Sequence, residues 1–334
     1  MRILRNILLS LVVLCALLFV VYQLGPKPEK PRYTDQFPTL PNSPLQVKHF
    51  IDREEAGLHI KPGNAATVEF VDSLKKTPFA VVYLHGFSAS HEEGMPLHTD
   101  FARRYHCNLY LSRLEGHGLA DTPALKNLNA AALYRSAVKA LAVGCKIGDS
   151  VILMGTSAGG ALALMLAARE KQAPIKALIL YSPCVKIFDP NAYLLDTPWG
   201  LQIARLITGK LNVTSYAPDT LTGHYWYNSY RLEGAVALQR LLDDGMTSDN
   251  FRQVRIPVLT CMYYKDKIHQ DSTVQTGAIR SMVADLGSPA GRKLLVTIPN
   301  AGNHVIASYI KSHDLGSVRK ATFSFADEVL HLPH

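Results

Sequence analysis

Runs of like charge are missing from this 334-residue chain. Lys and Arg outnumber Asp and Glu by 35 to 27, a formal net charge of +8, yet nowhere do five basic residues stand together. No zinc-finger or RNA-binding signature accompanies them, so the excess reads as a diffuse basic surface, and nucleic acid is set aside as a partner. Cysteine is scarce too. There are five, with no C-x-x-C pair and no Cys/His spacing of a metal site, which argues against a bound metal. Cys15 lies in an apolar run, Cys261 in a predicted strand and Cys184 just after another. Cys107 and Cys145 are then the one pair open to a disulfide, and free thiols are the preferred reading. No internal repeat is visible. Only 19% of residues are charged and 48% are hydrophobic, ample for a sizeable core.

One long hydrophobic run is present. Ile7 to Leu24 is apolar apart from Ser10, Cys15, Tyr22 and Gln23. As a helix it spans about 27 Å, close to the thickness of a bilayer core. Arg2 and Arg5 ahead of it would also suit a cleaved signal peptide. The stretch is long for that purpose, however, and Tyr22-Gln23-Leu24-Gly25-Pro26 contains no small-x-small pair. Leu14 stands where a lipoprotein site needs a small residue before Cys15. The preferred reading is an uncleaved single-pass membrane anchor with the remaining chain on the extracytoplasmic side; a secreted or periplasmic product of cleavage is the alternative. Lys27, Lys30 and Arg32 partly balance the two N-terminal arginines in setting orientation. Pro26 to Pro44 then holds six prolines and no hydrophobic period, as an extended linker would.

From about residue 66 short apolar runs alternate with helical patterns. Phe79–Leu84, Asn108–Leu111, Ser150–Met154, Ala177–Tyr181, Pro257–Tyr264 and Leu294–Ile298 read as strands covered on both faces. Glu92–Tyr105, Asn129–Val143, Ala158–Arg169, Ser272–Leu286 and Val318–Leu330 read as helices. That rhythm predicts an α/β fold with a doubly wound, mainly parallel sheet and helices on both faces. The interval from about Lys186 to Asn250 breaks it. No strand-like run occurs there, but Tyr193, Trp199, Tyr216, Tyr225, Trp226, Tyr227 and Tyr230 do, with short amphipathic stretches at Leu201–Ile207 and Leu232–Leu242. The expectation is a helical lid. The chain thus divides into 1–25, anchor or signal segment; 26–65, linker and domain entry; 66–185, first part of the core; 186–250, lid; and 251–334, second part of the core.

The chemistry centres on Gly155-Thr156-Ser157-Ala158-Gly159, a G-x-S-x-G sequence with a predicted strand before it and a helix after it. Small neighbours permit the strained turn that lifts a serine hydroxyl out of a sheet, and the following helix aims its N-terminus at developing negative charge. A serine needs a base, and the base an orienting acid, here expected in the chain order Ser, acid, His. His304, in Pro299-Asn-Ala-Gly-Asn-His304, follows the last predicted strand; His224, His269, His313, His331 and His334 lack that placement. Asp266, at the end of the Pro257–Tyr264 strand, is the preferred acid. Asp271 is the alternative, although it would also suit a helix N-cap. Phe79 to Ser88 runs as a strand into His85-Gly86, so the Phe87 and Ala158 amides are the expected oxyanion donors. His85 is read as bracing this loop, and Glu115 and His117 as structural.

Taken together, His85-Gly86-Phe87, Leu114-Glu115-Gly116-His117-Gly118, Gly155-Thr156-Ser157-Ala158-Gly159, Asp266 and Asn303-His304 resemble the α/β-hydrolase superfamily. The similarity is greatest to the branch of monoacylglycerol lipases, lysophospholipases and serine aminopeptidases. It covers about residues 66 to 334 and is weakest in the lid. Tyr263-Tyr264-Lys265-Asp266 replaces the more usual glycine-containing turn, which keeps Asp271 in contention. The resemblance implies a helical lid, ester or amide hydrolysis and no cofactor. An apolar, aromatic lid beside a membrane anchor favours a small-molecule or lipid ester with a medium or long acyl chain. A serine aminopeptidase or amidase would need a lid carboxylate for the substrate amine, with Asp189, Asp196, Asp219, Glu233, Asp243, Asp244 and Asp249 as candidates. A non-catalytic binding module on the same scaffold is the remaining alternative.

Overall fold

Helix α1, Arg2–Gln23, carries the long apolar run, with a mean hydropathy of 2.6 over its best window and none of that window buried. It belongs to a computed structural model that describes residues 2–34, 36–121, 123–215 and 219–334. Helix α2, Pro44–Ala56, follows the proline-rich segment. It falls where linker and domain entry were expected; Ser43 caps it through the Gln46 N–H and Pro44 opens it, both ordinary start signals. Val47, Ile51 and Glu55, four residues apart, form its buried face.

Strands and helices then alternate: β1 Thr67–Glu69, β2 Thr77–Leu84, α3 Leu97–Arg104, β3 Asn108–Leu111, α4 Ala130–Ile147, β4 Gly148–Thr156, α5 Ala158–Arg169 and β5 Ile175–Tyr181. The helix expected over Glu92–Tyr105 is interrupted. A short 3-10 turn, His91–Gly94, precedes α3, because Pro96 between them has no N–H to continue a helix. After β5 comes an insert containing α6 Gly200–Thr208, β6 Asn212–Thr214, α7 Thr220–Tyr225, β7 Ser229–Arg231, α8 Leu232–Gly245 and α9 Ser248–Gln253. The core resumes with β8 Val258–Met262, α10 Thr276–Asp285, β9 Lys293–Thr297 and α11 Leu315–Glu328.

The main sheet has the order β1-β3-β2-β4-β5-β8-β9. Every neighbouring pair is parallel except β1 with β3, which is antiparallel. Along β4, Val151 and Leu153 face one half of the core with α4 and α5, while Ile152 and Met154 face the other with Phe101 and Phe325. Burial on both faces is why the strand runs are apolar throughout. The strand order reverses around β2 and β4, so the C-terminal ends of those two strands border the crevice where open α/β sheets place their sites.

The insert is mainly helical, but β6 and β7 pair as a small antiparallel ribbon, where no strand was expected. Each strand is three residues long and too short to show a period in the sequence. Helix α8 buries Leu241 and Leu242 against the core, and Arg240 ties it to Asp196 while pairing with Asp244 one turn along the same helix. The insert also meets α1, since the Trp199 indole donates to the Val21 carbonyl at 3.1 Å and the Trp199 N–H to Pro26 at 2.8 Å. Of the aromatics expected there, Tyr216 lies outside the described residues; Tyr227 is buried and Tyr193 is exposed. All five cysteines are free thiols.

Candidate active site

Ser157 sits between β4 and α5 with φ of +52° and ψ of −116°, in a region that residues with a side chain rarely enter. Its own backbone holds it there: the N–H donates to the Tyr181 carbonyl at 3.0 Å, and the carbonyl accepts from Cys184 and Ala161. The glycines on either side answer to close contacts. A Cβ on Gly155 would lie 2.6 Å from the Gly159 carbonyl, and one on Gly159 would collide with the Leu84 carbonyl at the end of β2. Gly159 thus lets α5 press against β2, bringing the His85–Phe87 loop beside the serine turn. Ala158 is the first residue of α5, so its N–H is among the helix donors with no intrahelical acceptor.

The His85–Phe87 loop is braced from within. His85 Nδ1 donates to the Gly86 carbonyl at 2.8 Å, and Nε2 accepts the Leu114 N–H at 3.0 Å, so the ring carries its proton on Nδ1. Burial, then the neighbouring His117 ring, holds His85 well below the usual histidine range. This neutral imidazole links two loops. His117 is likewise neutral, lowered to about 4 by burial, with Nδ1 on the Glu115 carbonyl. Arg113 grips the buried Glu55 of α2 through two hydrogen bonds, at 2.7 and 2.9 Å, and holds the His117 carbonyl as well.

His304 follows β9. Its Nδ1 donates to Asp271 Oδ2 at 2.6 Å, leaving Nε2 as a buried lone pair with no protein partner among the described residues. Asp271 is fully buried and its Oδ1 accepts the Thr273 and Val274 N–H groups at 2.8 and 3.1 Å. Burial alone would raise its pKa, but His304 and those amides outweigh it and the net shift is downward. For His304 burial works toward the neutral form, yet the Asp271 carboxylate more than offsets it and the net shift is upward. Such a pair fixes one tautomer and favours the imidazolium that forms when Nε2 takes a proton.

Asp266, the preferred acid from sequence, does not meet His304. The segment after β8 closes on itself: the Lys265 and Asp266 N–H groups donate to the His269 carbonyl, and Tyr264 pairs with Gln270. Asp266 turns outward and accepts from the Ile268 and His269 amides and the His269 ring. Those donors lower its pKa to about 2. The five-residue loop moves the next carboxylate, Asp271, into the position that sequence had preferred for Asp266.

One further residue here is marked by no local sequence pattern. Glu93 is 2% exposed, and its Oε2 accepts the Gly86 N–H at 2.5 Å. Burial pushes it up to about 7, with the Gly86 amide acting against that rise. The neighbouring Glu92 instead meets the half-exposed Tyr309 hydroxyl at the surface. A pair of adjacent glutamates in sequence does not tell which one turns inward.

The chain matches a model of the Alpha/beta hydrolase family over residues 81–313. Among curated proteins nothing matches by sequence. Among solved structures, the chain is similar to one from the metagenome-derived lipolytic enzymes LipS and LipT, at 18% identity and a TM-score of 0.63, over 80% of this chain and 98% of that one. It is also similar to a soluble variant of monoglyceride lipase from Saccharomyces cerevisiae, at 14% identity and a TM-score of 0.58, over 81% of this chain and 92% of that one. An enol-lactonase from Burkholderia xenovorans is similar at 15% identity and a TM-score of 0.52, over 80% and 98% of the two chains. At these identities the likeness is one of fold.

Proposed function

This chain belongs to the alpha/beta hydrolase family, and from that premise we propose that it is a serine hydrolase that cleaves carboxylic esters through an acyl-enzyme intermediate. Ser157 is the nucleophile, His304 the base and Asp271 the acid, with the Phe87 and Ala158 amides as oxyanion donors. The observation that carries this reading is the 2.6 Å contact between Asp271 and His304 Nδ1, which leaves Nε2 free as a proton acceptor. Ser157 Oγ gives its proton to Nε2 as it attacks the ester carbonyl. The C–O bond to the alcohol breaks, and the alkoxide leaves with the proton that Nε2 returns. Water then repeats the sequence on the acyl-enzyme and releases the acid.

Esters are favoured over aminoacyl amides by what the carboxylates of the insert already do. Glu233 is held by Arg205 and Arg231, Asp196 and Asp244 by Arg240, and Asp249 by Arg252. Asp219 caps α7, Asp189 accepts the Asn191 N–H and Asp243 accepts from Gln239. Each has a partner before any substrate amine arrives. The insert is the lid of this reading. Its contacts with Val21 and Pro26 support a retained membrane anchor over a cleaved signal segment; the catalytic domain is proposed on the extracytoplasmic side, the usual arrangement for such anchors.

A fluorophosphonate probe followed by an ester chain-length series tests the proposal. Labelling at Ser157 and turnover of medium- or long-chain esters are expected. Intact protein that does not label overturns it, and labelled protein that cleaves only aminoacyl amides replaces it with the peptidase reading. Membrane retention after alkaline carbonate washing, with the N-terminus intact by mass, tests the anchor.

A further inference from the structure

Glu93 belongs to a 3-10 turn wedged between the two loops of the site. On one side its carboxylate holds Gly86; on the other, the Tyr309 N–H donates to the Met95 carbonyl and Pro96 bridges to Ser308, in the loop that carries His304. A Cβ on Gly86 would lie 2.7 Å from Glu93 Oε1, so glycine is what allows the carboxylate this close. No ion pair joins Glu93 to a cation among the described residues. A buried carboxylate without one costs folding free energy.

The geometry reaches the proposed oxyanion donor through one peptide plane. The Gly86 carbonyl is pinned by His85 Nδ1 at 2.8 Å and by the Ala89 N–H at 3.3 Å. In a planar trans peptide the following N–H, that of Phe87, must point the opposite way. Glu93 fixes the near side of the same glycine by accepting its N–H. Two hydrogen-bonded anchors therefore set the direction of the Phe87 amide, one from His85 and one from Glu93.

We propose that Glu93 is a positioning residue of the active site, holding the Gly86 turn so that the Phe87 amide meets the substrate's oxyanion, while its negative charge supports the imidazolium form of His304. This role rests on the ester-hydrolase reading. The groups that face Glu93 are Tyr83 from β2, Trp226 from the insert and His304 from the loop after β9. Nearby, His91 on its own turn is lowered by burial to about 4, and His98 on α3 to about 3, while burial raises Tyr83 well above its usual range. Glu93, raised by burial to about 7, and His304, raised by Asp271 against its own burial, are the remaining titratable pair of this cluster. His304 must be neutral to act as the base, and the charge on Glu93 then supports the imidazolium it becomes.

The test is the pH profile of kcat/KM on an ester for wild type, Glu93→Gln and Glu93→Ala. The wild-type acid limb is expected to follow deprotonation of His304, at a position that the Glu93 charge helps to raise. In Glu93→Gln, whose amide oxygen still accepts from Gly86, the limb moves to lower pH as His304 loses a neighbouring negative charge. Glu93→Ala is expected to lower kcat by about tenfold to a hundredfold, with KM little changed, because the oxyanion donor is no longer held. A Glu93→Gln profile superimposable on wild type overturns the proposal, as does a Glu93→Ala protein with wild-type kcat. Fluorophosphonate labelling is run on the same preparations. Wild type that does not label brings down the ester-hydrolase reading itself; wild type that labels and turns over, with an unaltered Glu93→Gln profile, brings down only the role of Glu93.

Discussion

The turn after β4 and the loop after β8 leave the same end of one parallel sheet, and each carries a residue of the proposed active site. They are built in opposite ways. At the first, five consecutive residues do everything: Gly155 and Gly159 permit the approach, and Ser157 takes the strained φ within that span. At the second, the strand ends at Met262 and the chain closes a side turn over Tyr264–Gln270 before Asp271 reaches His304, 33 residues further on. Local geometry shapes the Ser157 turn, and a long-range contact brings Asp271 to His304.

Substitutions probe that contrast. The largest effect is expected at Ser157→Ala, a loss of about a million-fold in ester kcat with the fold retained, because base and acid cannot act without the nucleophile. Appreciable residual turnover in a labelling-negative Ser157→Ala preparation would move the chemistry away from the Ser157 turn.

Next comes Asp271→Asn, with a fall in kcat of about 10³- to 10⁴-fold, since the amide no longer fixes the tautomer or the charge of His304. The sign of its pH effect follows from the pair. The Asp271 charge raises the His304 pKa, and the base works when neutral, so wild-type activity climbs as pH rises through that raised value. Removing the charge moves the residual activity's midpoint to lower pH. An upward displacement would contradict the assignment.

Smaller again is Gly159→Ala. The added methyl meets the Leu84 carbonyl, and relief requires α5 and β2 to part. A loss of about 1–3 kcal/mol is expected in denaturant unfolding, with activity falling further than stability alone explains.

The smallest effect belongs to Asp266→Asn. Asp266 is solvent-facing and bonds within its own turn, so kcat should stay within about twofold of wild type. If both aspartates cost the same, the distinction between the two regions is lost.

How far each feature was legible follows the same division. Helix α5 and strand β3 have the bounds read from sequence because their apolar patterns and flanking residues are local. Helix α2 was legible too, through Ser43, Pro44 and the spacing of Val47 and Ile51, but the preceding prolines drew attention to a linker. The ribbon of β6 and β7 exists through pairing across the insert, and three residues carry no usable period. Glu93 and Glu92 are alike in sequence; only the packing of their turn against Gly86 and Tyr309 separates them.

By itself, then, the sequence determined the alternating α/β order, the serine turn, the histidine after the last strand and a bilayer-length N-terminal helix. All of these depend on contacts within a few residues or on composition. Tertiary structure alone decided that Asp271 and not Asp266 faces His304, and that Glu93 lies against the Gly86 turn. A carboxylate's role is set by what surrounds it, and those surroundings come from segments tens of residues away, which no local pattern records.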